Sequence, residues 1–174
     1  MKRFALLFTI MVTFACTAAH AQFTQSELVS EWQRAKNYTK AYLDAMPADG
    51  YSFKPTPEIR SFAQQMLHLA DGNYFMVSTA AGIASPMDEK SVEKEVSPTK
   101  EATIKAVLDS YDFVINTLKI MTPAQLQQSV SLEGHTVTRF GGFGKAFEHQ
   151  THHRGQTTIY LRLKGVTPPG EMLF

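Results

Sequence analysis

The stretch Glu148-His149-Gln150-Thr151-His152-His153-Arg154-Gly155-Gln156 holds three of the six histidines in a 174-residue chain. A neutral imidazole offers a nitrogen lone pair near pH 7, so clustered histidines point to a divalent metal ion. On a helix, His149 and His153 share one face about 6 Å apart and can grip one ion together. Two imidazoles alone make a weak site, and a third ligand is wanted. His68, in Ala63-Gln64-Gln65-Met66-Leu67-His68-Leu69-Ala70, is the one other histidine expected inside a long helix. A bundle that sets these two helices side by side converges His68, His149 and His153 into a three-histidine site. The alternative is plainer: a lone helical histidine among apolar neighbours is commonly a hydrogen-bonded core or boundary residue.

The other histidines fit less well. His152 lies about 100° around the helix from His153. With Glu148 four residues before it and Gln156 four after, it is read as facing solvent, with a metal-coordinating Glu148–His152 pair as the alternative. His135 sits in a glycine-rich stretch without a partner at ligand spacing, and is read as structural or exposed. Sharper catalytic motifs fail residue by residue. A His-Glu-x-x-His zinc motif needs a glutamate where Gln150 stands, and its inverted form needs one where His152 stands. The stretch Gly141-Gly142-Phe143-Gly144-Lys145-Ala146 lacks the leading glycine (Arg139) and the Ser or Thr (Ala146) of a phosphate loop.

The elements that must position these residues are helical. Leu28, Trp32, Ala35, Tyr38 or Thr39, Tyr42 and Met46 recur at spacings of three and four, and Pro47 closes this first helix. Thr56-Pro57-Glu58 reads as the start of a second helix running to Ala81, with Gly82 as its stop. Residues 83–97 read as a charged loop. A third helix follows Ser97-Pro98 and carries Ile104, Val107 or Leu108, Tyr111, Val114 or Ile115 and Leu118, and Thr122-Pro123 opens a short helical turn. Residues 129–144 mix β-branched residues with glycines, which suits an extended excursion or small hairpin. The fourth helix is expected from about Lys145 to Lys164, before Gly165 and Pro168-Pro169. The fold class is therefore all-α, a four-helix bundle with a long crossover between helices 3 and 4.

Residues 1–21 read as a secretory signal peptide. Lys2-Arg3, an apolar run from Phe4 to Ala15 and the small-x-small sequence Ala19-His20-Ala21 supply its three parts. Cys16 suggests lipid anchoring as an alternative, although Thr13 stands where such signals usually carry leucine. Residues 22–174 then form one domain, exported to the periplasm or secreted, with no stable membrane span after processing. Cleavage takes the formal charge from +1 to −1 and removes the one cysteine, so the mature chain has no thiolate ligand and no disulfide. A near-neutral charge without a basic block argues against nucleic acid as a partner.

His68 in a long second helix, the His149-x-x-x-His153-Arg154-Gly155-Gln156 pattern and the Tyr160-Leu161-Arg162-Leu163-Lys164-Gly165-Val166-Thr167-Pro168-Pro169 sequence together resemble the DinB family of four-helix-bundle proteins. Pro57 to Phe75 looks like the same family's second helix, and the resemblance covers nearly all of residues 24–170. It implies a divalent metal ion, zinc or nickel with iron as an alternative, held by His68, His149 and His153, with water or a small-molecule substrate completing the coordination. It also makes a homodimer compatible with the chain. The implied activities are metal-dependent hydrolysis, metal or ligand binding without turnover, or thiol-dependent S-transfer. Export disfavours the last, because an oxidising compartment depletes small thiols. Asp71 and Gln156 are candidates to orient a ligand imidazole.

Overall fold

The computed structural model describes residues 24–88 and 90–174; the segment read as a signal peptide, with Cys16, lies outside them. The chain builds α1 (Gln25–Ala45), α2 (Phe62–Ala81), α3 (Val92–Glu95), α4 (Lys100–Ile120), α5 (Pro123–Leu126), β1 (Ser129–Leu132), β2 (His135–Thr138) and α6 (Arg139–Leu163). The four long helices α1, α2, α4 and α6 form the expected bundle. Among the described residues, no helix is long and apolar enough to cross a membrane.

Helix α1 packs on α4 and α6, and α2 packs on the other side of the same two. The helix starts and ends set the directions. Gln25 reaches the carbonyls of Leu118 and Met121 while Lys100 reaches those of Asp44 and Met46, so α1 and α4 are antiparallel. Arg139 bonds the Ala80 carbonyl and Tyr160 the Arg60 carbonyl, so α2 and α6 are antiparallel too. The long connection from α4 to α6 crosses the bundle diagonally and carries the hairpin β1–β2. Glu133 and Gly134 turn that hairpin with φ of 50° and 82°, as a two-residue turn that matches strand twist requires. The core is centred on Trp32, Tyr111, Phe62, Phe143 and Leu161, all fully buried, and the apolar stripe anticipated for α1 is buried throughout.

Two helix starts differ from the sequence reading. Helix α2 begins at Phe62 and not at Pro57, because Ser61 and Gln64 form a capping box. Gln64 Oε1 accepts from the Ser61 N–H, and Ser61 Oγ accepts from the Gln64 N–H. The Phe62 and Ala63 amides are also tied to the carbonyls of Phe53 and Tyr51, which turns residues 57–60 off the helix axis. Helix α6 begins at Arg139, capped by Thr138, and takes Gly141, Gly142 and Gly144 into its first turns. Gly142 is needed for contact: a Cβ there would stand 2.6 Å from the Ala80 side chain, so its absence lets α6 lie close on α2. That approach brings the histidines of the two helices together.

Candidate metal centre

His68 on α2 and His149 and His153 on α6 converge. The ring centroids stand 4.3 Å apart for His149 and His153, 4.6 Å for His68 and His153, and 5.4 Å for His68 and His149. One nitrogen from each lies within 4.8 Å of the others. His153 is buried, whereas His68 and His149 are partly open to the surface.

Gly72, one turn beyond His68, makes the arrangement sterically feasible. A Cβ at Gly72 would lie 2.2 Å from Cε1 and 2.3 Å from Nδ1 of His149, so the His149 ring rests on bare α2 backbone. His149 Nδ1 is buried without a hydrogen-bond partner among the described residues. The donor set therefore fits a divalent ion: three imidazoles, one with a buried nitrogen left unsatisfied among the described residues.

Burial, reinforced by the neighbouring imidazoles, pushes His149 down to about 4 and His153 down to about 3. Burial and then the Arg60 charge lower His68, against the opposing pull of Glu93 and Asp71. At pH 7 the lone pairs of His149 and His153 are free of competing protons. The unfolded chain, with histidines near 6.5, binds more protons than the folded chain between about pH 6.5 and 3. The metal-free protein keeps this contribution to stability above pH 6.5 and loses it as pH falls through that window. Thermal melts of chelator-treated protein at pH 7.5 and 5 are expected to show the drop. His149→Ala and His153→Ala are expected to flatten it, and an unchanged slope in both would refute the assignment.

The groups around the three rings were not all visible beforehand. Gln65, 3% exposed, places its amide 2.9 Å from His153 Nδ1 and hydrogen-bonds Gln156. Arg60 Nη2 stands 3.3 Å and Glu93 Oε2 3.5 Å from His68 Nδ1, so this pair brackets one nitrogen of the ring. Glu93 is held by Arg60 Nε at 3.0 and 3.1 Å. It reaches this place because the connection from α2 to α4 runs back along α2. Asp71 pins that connection by accepting from Ser91 Oγ and from the Val92 and Glu93 amides.

Asp71 thus caps α3 and does not touch an imidazole. His68, Asp71 and Glu93 also lie within ligand reach of one another, but both carboxylates are committed to these partners. Gln156 contacts Gln65 and His152 and reaches His153 only through Gln65. His152 is exposed and stands outside the cluster, and so does His135 on β2. Of the missed residues, Gln65 and Gly72 had a usable signal: with His68 they fall at spacings of three and four on one helix face.

Two cavities meet at this wall. One, of about 760 Å³, is lined by Lys54, Ile59, Arg60, Gln65, Gln156 and Tyr160 among others. The second, of about 650 Å³, includes His68, and Glu93 borders both. Their size suits a small organic molecule.

The model of the DinB family matches residues 16–172. The chain is 25% identical to YjoA of Bacillus subtilis strain 168, described as uncharacterized, over 147 residues that make up 82% of this chain and 92% of that protein. Its fold is similar to the crystal structure of a DinB-like protein from Bacillus cereus ATCC 10987, with a TM-score of 0.69 at 20% identity, covering 84% of this chain and 96% of that one. It is also similar to the crystal structure of the DinB-like YjoA from Bacillus subtilis, with a TM-score of 0.67 at 24% identity, covering 85% and 96%. These likenesses carry the fold and not a substrate.

Proposed function

The chain belongs to the DinB family, and on that premise we propose that it binds one divalent metal ion, zinc or nickel, through His68, His149 and His153 and uses it to hydrolyse a small molecule. The observation that carries the reading is the convergence of three imidazoles from two antiparallel helices, with the His149 ring seated on Gly72. A divalent ion held by three protein ligands would supply Lewis acidity at an open coordination position. The chain's own residues do the rest of the positioning. Gln65 holds the His153 ring, Glu93 and Arg60 bracket His68, and Gln64, Gln65, Gln156 and Arg60 line a cleft that shares Glu93 with the one bordered by His68.

One observation favours a second reading, a bundle that holds metal and ligand without turnover. Glu93 is paired with Arg60 and Asp71 accepts three hydrogen bonds at the start of α3, so both nearby carboxylates are engaged by protein groups. A thiol-dependent S-transferase is the weaker third reading if the chain is exported as proposed from its first 21 residues.

Elemental analysis of the protein carrying no histidine tag tests the common premise. One divalent ion per chain is expected, and a metal-free protein that takes up no zinc or nickel on titration would overturn it. Screening ester and amide libraries with and without chelator then separates the readings: chelator-sensitive turnover supports the hydrolase, and ligand retention without turnover supports the binder.

A further inference from the structure

We propose that Gln65 is a positioning residue that fixes the tautomer of His153, with Gln156 and His152 completing its hydrogen-bond chain; the inference rests on the metal site proposed above. The chain is continuous. Gln65 Nε2 lies 2.9 Å from His153 Nδ1 and donates to Gln156 Oε1, and Gln156 Nε2 lies 2.8 Å from His152 Nε2. The inner end is buried at Gln65 and His153, and the outer end is exposed at His152.

A carboxamide exchanges its oxygen and its NH2 by a half-turn that leaves the heavy-atom positions nearly unchanged, so such a chain has two polarities. In the first, Gln65 Nε2 donates to His153 Nδ1. A neutral imidazole carries one proton, so that proton then sits on Nε2 and His153 has no lone pair left for an ion. In the second, His153 Nδ1–H donates to Gln65 Oε1, Gln156 Nε2 donates to the same oxygen, and His152 Nε2–H donates to Gln156 Oε1. His153 Nε2 then presents its lone pair toward His68 and His149. Only the second polarity makes His153 a ligand through Nε2, and Gln65 is the residue whose orientation selects it. A hydrogen-bonded partner of this kind fixes ring orientation as well as tautomer.

Carboxylate and hydrocarbon replacements separate this role from packing. Gln65→Glu can only accept at pH 7 and so enforces the second polarity, whereas Gln65→Leu fills the space and offers no acceptor. A packing role predicts that Leu is tolerated in this buried position and Glu is not. The positioning role predicts the reverse for metal binding. Zinc affinity, read by competition with a chromophoric chelator on untagged protein, is expected to fall roughly 10- to 100-fold in Gln65→Leu and to stay at or above the wild-type value in Gln65→Glu. Gln65→Met replaces the leucine variant if that does not fold. Nitrogen-correlated NMR of the zinc-loaded wild type is expected to place the His153 proton on Nδ1. Wild-type affinity in the leucine variant, an equal loss in the glutamate variant, or a proton on His153 Nε2 would each overturn the inference while leaving the site intact. A wild-type protein that takes up no zinc would overturn both.

Discussion

His153→Ala is expected to abolish stoichiometric uptake of zinc or nickel and to leave the bundle folded. His153 is the most enclosed of the three imidazoles, and it stands between the other two, at 4.3 Å from His149 and 4.6 Å from His68 between ring centroids. Without it the remaining pair is split across two helices with centroids 5.4 Å apart, and two imidazoles alone bind weakly. The loss in zinc affinity should exceed the roughly 100-fold ceiling typical of residues that merely orient a ligand. The fold tolerates the change for a physical reason. The truncation removes ring contacts and leaves the Gln65 amide without its imidazole partner, at a cost of about 1–3 kcal/mol. It also removes a base that resists protonation in the folded state, so acid lability falls. Competition titration with a chelator and a thermal melt at pH 7.5 check both halves. Retained stoichiometric zinc in a folded His153→Ala protein would eliminate the three-histidine arrangement as the metal centre.

The same ring illustrates what a sequence makes legible. Spacing places His149 and His153 on one face, and helical periodicity makes the bundle that carries His68 opposite them. What spacing does not supply is the distance between helices. The glycines at the start of α6 read as turn signals because glycine is usually found where the chain bends. Here Gly142 is selected by the neighbouring helix, whose Ala80 side chain would sit 2.6 Å from an added Cβ. The start of α2 differs from the sequence reading for a local reason: Thr56-Pro57-Glu58 carries the composition of a helix start, but the reciprocal bonds of Ser61 and Gln64 form the stronger one. Glu93 lay hidden for a nonlocal one. Nothing in a charged loop says where it docks, and its place beside His68 follows from Asp71 accepting three hydrogen bonds from residues 91–93. A local pattern is readable where the partner lies within a helical turn, and unreadable where the partner belongs to another element.

Gly72→Ala should remove metal binding from a protein at least nearly as stable as the wild type, although residue 72 bears no ligand atom. Two effects act in opposite directions. Glycine inside a helix is disfavoured relative to alanine by roughly 1 kcal/mol, so the substitution strengthens α2 by that amount. Against it, the new methyl would overlap Cε1, Nδ1 and Nε2 of His149 at 2.2, 2.3 and 3.1 Å, and a close-packed site charges about 1–3 kcal/mol for such an intrusion. His149 is partly exposed and borders a cavity of about 360 Å³ with Leu132, Val137 and His152, so its ring has somewhere to turn. Rotating there relieves the overlap and takes the imidazole away from His68 and His153. The strain is thus discharged through the ligand and not through the backbone. The expected result is a melting temperature within a few degrees of wild type, with zinc affinity reduced as far as in His149→Ala. A Gly72→Ala protein that holds zinc at wild-type affinity would show that His149 does not occupy this seat when metal is bound. The double variant Gly72→Ala/His149→Ala adds the decisive comparison: because both changes act through one ring, their effects on affinity should not sum.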